Sequence, residues 1–134
     1  YEFLQCRWTK RQSPNIRAAT DYVNKLSYWL AYQVVHQPSL KKRALTLSLI
    51  AKVAKCLLSM HSFNSLMAIY LALNFASIAR LTQTWKLMPN KYYVLWKKIS
   101  RLMSPRNNFK NFRAYYSGRE PPIVFCLEIV LKDL

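Results

Sequence analysis

Apolar residues recur at helical spacing along almost the whole chain, and four proline-centred breaks divide them into segments. The first predicted helix runs from Pro14 to about His36 and buries Ile16, Tyr22, Val23, Leu26, Trp29, Leu30 and Val34. Ser13 is its N-cap, and Pro14 takes the first helical position, where a missing N–H costs nothing. Gln37-Pro38-Ser39 breaks the run and starts a second helix, from Leu40 to about Met60. Its core face is Ala44, Leu47, Ile50, Ala51, Ala54, Leu57 and Leu58, with Lys41, Lys42, Arg43, Lys52 and Lys55 at the ends and the solvent side. Ser62 caps a third helix, on which Phe63, Leu66, Met67, Tyr70, Leu71 and Asn74 repeat at i, i+3, i+4.

Phe75-Ala76-Ser77 reads as a short junction before a helix through Ile78, Leu81 and Trp85, which Met88-Pro89-Asn90 ends. Lys91 to Met103 places Val94, Leu95, Ile99 and Leu102 on one stripe, with Lys91, Lys97, Lys98 and Arg101 outside it. Ser104-Pro105 opens another turn, where Phe109, Phe112 and Tyr116 recur at helical spacing. Pro121-Pro122 forces an extended break before the apolar tail Ile123 to Leu134. The pattern predicts an all-α domain without internal repeats.

Composition narrows the chemistry. At 134 residues and 52% hydrophobic content the chain can fill one core. Its single glycine, Gly118, excludes Gly-rich phosphate loops and disfavours tight-turned β folds. The charge balance is 21 Lys+Arg against 5 Asp+Glu, a net +16. The acids are Glu2, Asp21, Glu120, Glu128 and Asp133, so no carboxylate lies between Tyr22 and Arg119. Paired-carboxylate hydrolysis and carboxylate-held Mg²⁺ or Ca²⁺ have nothing to build on there. An anionic partner is implied: nucleic acid, a membrane leaflet or an acidic protein face. Cys6, Cys56 and Cys126, odd in number and widely spaced, fit free thiols in a reducing cytosol. The chain starts at Tyr1 without a signal peptide and stops inside an apolar run, as an excerpt of a longer polypeptide would.

Cys56 to Ala79 carries no charge and is long enough to span a bilayer, but Ser59, His61, Ser62, Asn64, Ser65, Asn74 and Ser77 favour a buried amphipathic pair of helices. His36 and His61 lack a nearby nucleophile or orienting carboxylate, so no catalytic residue is assigned. Cys56 and His61 have no second ligand pair, so no metal or other cofactor is assigned either. Tyr92, Tyr93 and Trp96 among Lys91, Lys97, Lys98 and Arg101, with Tyr115 among Arg106, Lys110 and Arg113, interleave bases with aromatics as nucleic-acid binders do. The same aromatics lie on helical stripes and are more economically core, so nucleic acid is not taken as the partner.

Specific strings carry more than the periodicity. Phe63-Asn-Ser-Leu-Met-Ala-Ile, Leu73-Asn74, Ile78, Arg80-Leu81 and Thr84-Trp85 together resemble the signature of the catalytic domain of Ras-family guanine nucleotide exchange factors (RasGEF). The resemblance extends to Phe3-Leu-Gln-Cys-Arg-Trp-Thr-Lys, Asn24-Lys-Leu-Ser-Tyr-Trp-Leu, Lys42-Arg43-Ala44, Asn108-Phe-Lys-Asn-Phe-Arg113 and Pro121-Pro122-Ile-Val through Leu131-Lys-Asp-Leu134, in order and over nearly the whole chain.

The resemblance implies an all-α bowl that grips switch II of a Ras-like small GTPase while a helical hairpin opens the nucleotide site, with no cofactor consumed. It makes residues 1–134 a partial RasGEF catalytic domain, whose N-terminal start and C-terminal hairpin lie outside the chain. The switch II-binding positions carried over are Met67, Leu71, Asn74, Ala79, Phe109, Cys126 and Lys132, and Asn64, Arg80 and Trp85 are fold-holding positions. Asn74 matches an asparagine that hydrogen-bonds the GTPase. The chain departs from the family at Phe125-Cys126 (usually Pro-Phe), Glu128 (usually Gly), Lys132 (usually Thr), Asp21 (commonly basic) and Arg17 (commonly apolar). The expectation is therefore a cytoplasmic exchange factor without covalent chemistry, recruited to membranes where its basic faces meet anionic lipid. The alternative is an exchange-inactive RasGEF-like scaffold that binds a protein partner.

Overall fold

The computed structural model describes residues 13–133, and the tract Phe3 to Lys10 and Leu134 lie outside the described residues. Eight helices follow one another there: α1 (Pro14–Val35), α2 (Leu40–Ser59), α3 (Phe63–Asn74), α4 (Ala76–Ala79), α5 (Thr82–Leu87), α6 (Asn90–Leu102), α7 (Arg106–Tyr116) and α8 (Leu127–Lys132). The only β feature among the described residues is one parallel bridge between Ser62 and Val124, so the all-α expectation holds.

Helix α3 is the centre. Phe63, Leu66, Met67, Ala68, Ile69, Ala72 and Leu73 are all buried on it, which means the helix is apolar nearly all round and needs cover on several sides. Helices α1 and α2 supply that cover, and α2 also packs on α5 and α6. Close approach is made by small side chains: Ser27 and Ala31 on α1, and Ala44, Ser48, Ala51 and Ala54 on α2, are buried. The two buried serine hydroxyls are satisfied within their own helices, Ser27 Oγ donating to Val23 O and Ser48 Oγ to Ala44 O at 2.8 Å each.

Three expectations are corrected. Tyr22 and Trp29, expected inside, are exposed, because the line that meets α3 runs through Val23, Ser27, Ala31 and Val34 and leaves the bulky rings outside it. On α6 the buried set is Trp96 and Ile99, with Met103 beyond its end, whereas Val94 is exposed. Two helical stripes were available there, and the one holding the large indole surface faces the core. The junction at Phe75-Ala76-Ser77 is shorter than expected: Phe75 alone is extended, and its carbonyl accepts from Ile78 N at 2.9 Å to begin α4.

Loops are held by specific side chains. Ser39 Oγ accepts from Lys42 N at 3.2 Å as the cap of α2. Arg43 reaches back to Gln37 O at 3.0 Å and across to Thr84 Oγ1 at 3.4 Å, tying the α1–α2 loop, α2 and α5 together. The uncharged stretch from Cys56 to Ala79 is interrupted where α2 ends, at Met60 and the left-handed His61. No helix among the described residues is long and apolar enough to cross a membrane.

Candidate functional site

The family-matched positions fall on two patches backed by one core. The first is built by α3, α4 and α5. Asn74 ends α3, exposed, and its Nδ2 donates to Tyr70 O at 2.7 Å, which fixes the amide and leaves Oδ1 able to accept from a partner. Ala79, also exposed, ends α4 and lines with Asn74 an open cleft of about 620 Å³. Thr82, Trp85, Tyr93 and Lys97 also line that cleft. Trp85 is positioned by its Nε1 donating to Ile78 O at 2.9 Å and by an edge contact with Tyr93 at 6.4 Å. One turn back along α3, Leu71 is half-buried and Met67 is only 2% exposed, part of the core that supports the rim.

The second patch is built by α7 and α8. Phe109 is 1% exposed, and Lys132 lays its Nζ 4.8 Å from the ring centre, so these two positions meet in a cation–π contact. Cys126 is 2% exposed, and burial pushes its thiol up to about 11, so it is a neutral, unreactive packing residue at neutral pH. Asn107, Asn108 and Phe109 form a left-handed turn (φ 51, 53 and 56°) that precedes the regular part of α7. Asparagine tolerates that conformation better than most residues, and the third position delivers the Phe109 ring inward.

The fold-holding positions separate. Asn64 Oδ1 accepts from Leu127 N at 3.3 Å, joining the start of α3 to the start of α8 across 63 positions of chain. Trp85 lines the cleft just described, and Arg80 is exposed at the end of α4. The string Phe63-Asn64 therefore works as a socket for the C-terminal segment. Phe63 N donates to Val124 O at 2.9 Å, Val124 N donates to His61 O at 3.0 Å, and the Phe63 ring meets Phe112 edge-on at 4.9 Å.

Sequence reasoning missed the Arg113–Asp133 pair. Arg113 donates from both terminal nitrogens to both carboxylate oxygens of Asp133, at 2.8 and 2.6 Å. The Arg113 guanidinium holds the Asp133 carboxyl below its ordinary range, and Asp133 in turn raises Arg113. A signal was available: Asp133 is one of the few acids, and Arg113 ends a family-matched string. Arg17 and Asp21, both departures from the family, face each other one turn apart at 3.8 Å and partly offset each other's charge. Trp96, Phe109 and Phe112 are buried, so these rings of the basic, aromatic-rich stretch serve the core. No group of three or more His, Cys, Asp or Glu suited to a metal ion occurs among the described residues.

The described residues thus form an apolar helical bundle with an exposed amide beside an open cleft and a lysine laid over a buried aromatic. Residues 1–134 match the model of the RasGEF domain, and the chain belongs to that family. It is 37% identical over 138 residues to the Ras-specific guanine nucleotide-releasing factor RalGPS1 of Mus musculus and 36% identical over 138 residues to RalGPS2 of Homo sapiens. It is also 32% identical over 133 residues to the Ras guanine nucleotide exchange factor C of Dictyostelium discoideum. In each case 99% of this chain is covered, but the chain spans only 24% of the length of the two RalGPS proteins and 9% of the amoebal factor.

Proposed function

We propose that this chain is part of the catalytic domain of a guanine nucleotide exchange factor for a Ras-like GTPase and contributes the seat for switch II. The observation that carries the reading is Asn74, a family-matched asparagine held outward at the rim of the cleft with an acceptor to spare. Leu71 and Ala79 offer apolar surface beside it, and Lys132 over Phe109 offers a cation on the second patch. Met67, Phe109 and Cys126 act from beneath, by holding those neighbours in place.

Such a protein needs no covalent chemistry. It binds the nucleotide-free GTPase best, and by reciprocity that preference lowers the GTPase's affinity for nucleotide. In this reading the work is done at a membrane surface in the cytoplasm.

The test is release of fluorescent GDP from a panel of Ras, Rap and Ral GTPases by the full-length protein, with capture of the nucleotide-free GTPase measured in parallel. Asn74→Ala should weaken capture by about tenfold, the worth of one net hydrogen bond at a binding surface. Unchanged capture would remove Asn74 from the site. A second reading, an exchange-inactive scaffold, is favoured by the departures at Cys126, Glu128 and Lys132, all in the segment that builds the second patch. Capture without accelerated release across the panel would select it.

A further inference from the structure

The outward face of α2 carries an apolar row that the fold leaves uncovered. Leu45, Leu49 and Val53 stand one turn apart, and Met60 closes the row, with exposures of 59, 59, 45 and 67%. At 3.6 residues per turn the four fall within about a quarter of the helix circumference. They lie opposite the core-facing Ala44, Leu47, Ala51 and Ala54, which pack toward α3, α5 and α6.

Lysines lie beside the row, mostly along one side of it. Lys41, Lys42, Lys52 and Lys55 are all exposed on the same helix. Lys52 also reaches the seam with α6, where its Nζ lies 5.0 Å from the centre of the Tyr92 ring and that of Lys91 lies 4.9 Å from the same centre. Two ammonium groups on one ring concentrate positive charge, and no carboxylate between Tyr22 and Arg119 is available to neutralise it.

We propose that this face of α2 docks on an anionic lipid bilayer, with Leu45, Leu49, Val53 and Met60 entering the boundary between headgroups and acyl chains. Lys41, Lys42, Lys52, Lys55 and Lys91 lie against the lipid phosphates and carboxylates. An amphipathic helix lying in the interface plane binds through those two contributions together. Charge selects an anionic occupant, and shape selects lipid over protein. A protein interface concentrates its energy in aromatic or arginine anchors that fit pockets. This row is aliphatic, lies on the outward face of a helix, and suits a fluid surface that needs no register. The inference deepens the membrane placement in the reading above, and the exchange activity is read separately.

The experiment is flotation of the full-length protein with vesicles of phosphatidylcholine alone or with about one third phosphatidylserine. The wild-type protein should float with the anionic vesicles and stay behind with the neutral ones. Leu45→Ser, Leu49→Ser and Val53→Ser combined should lower partitioning by at least about tenfold, since three partly inserted aliphatic side chains are removed. Lys52→Glu with Lys55→Glu should lower it by roughly fivefold or more per lysine. Both variants should keep wild-type thermal unfolding and wild-type exchange on a soluble, lipid-free GTPase.

Flotation of the triple serine variant like the wild type overturns the proposal, as does equal wild-type binding to neutral vesicles or none at all. A shift in the unfolding temperature of that variant with flotation unchanged would mean that another stretch of the polypeptide covers the row, which also overturns it. Loss of exchange on the soluble GTPase with flotation intact would fail the exchange reading and leave this inference standing.

Discussion

The two patches are built by opposite means. The rim of the α3–α4–α5 patch is held by bonds between near neighbours in sequence, Asn74 to Tyr70 and Trp85 to Ile78, with α6 closing the cleft beside it. The α7–α8 patch is assembled from residues far apart: Asn64 with Leu127, Phe63 with Val124, Arg113 with Asp133, and Lys132 with Phe109. A patch made of local bonds survives the loss of distant contacts. A patch made of distant ties depends on the whole bundle being closed, so it is the half to loosen first.

Phe63→Ala attacks the part the two patches share and should have the largest effect. The ring is fully buried against Phe112, and a phenylalanine-to-alanine change at such a site costs about 3–5 kcal/mol. Urea unfolding of the full-length protein would show it, and a loss under about 1 kcal/mol would mean the patches are not joined through Phe63.

Asn64→Ala sharpens the contrast. It leaves Leu127 N without its acceptor in a part-buried place, at about 1–2 kcal/mol, and should speed amide exchange in α8 while α3 stays protected. Equal acceleration in both helices would merge the patches into one unit.

Acid should separate the patches without mutation. The folded Asp133 carboxyl titrates below its ordinary value, so the Arg113 tie is complete above about pH 4 and is lost as pH falls through the lower, folded value. Amide exchange in α8 should therefore rise at low pH earlier than in α3, and Asp133→Asn should abolish that difference in onset. The pair is exposed, so its effect on global stability should be small.

The smallest effect is chemical. A maleimide at neutral pH should label exposed Cys56 quickly and Cys126 only on unfolding, because Cys126 is buried and its thiol is held near 11. Mass spectrometry of the labelled peptides reads the rates, and fast labelling of Cys126 would show the second patch already open.

Much of the fold was legible in the residues. Pro14, Ser39 with Lys42, and the breaks at Pro38, Pro89 and Pro105 mark real helix boundaries, because capping and proline geometry are local. Which face turned inward was less legible. Tyr22, Trp29 and Val94 lie on valid helical stripes and still face solvent, since several stripes satisfy the same period and only the packing partner chooses among them. Of the candidate site, Asn74 and Ala79 were named through the family resemblance, and the structure sets both on one cleft. The meeting of Lys132 with Phe109 could not be read from the residues, because no local pattern encodes a contact across 23 positions.

By itself, then, the sequence determined the class of the protein: all-α, strongly basic, without acids over its central stretch, and carrying the strings that place it in the RasGEF family. Periodicity, composition and motif are properties of residue order and can be read from it. The tertiary structure decided which family-matched residues stand at the surface and which lie beneath it, and which lysines gather beside the uncovered row of α2. Burial and cross-chain contact arise only when helices distant in sequence exclude water between them, and no single segment holds that information.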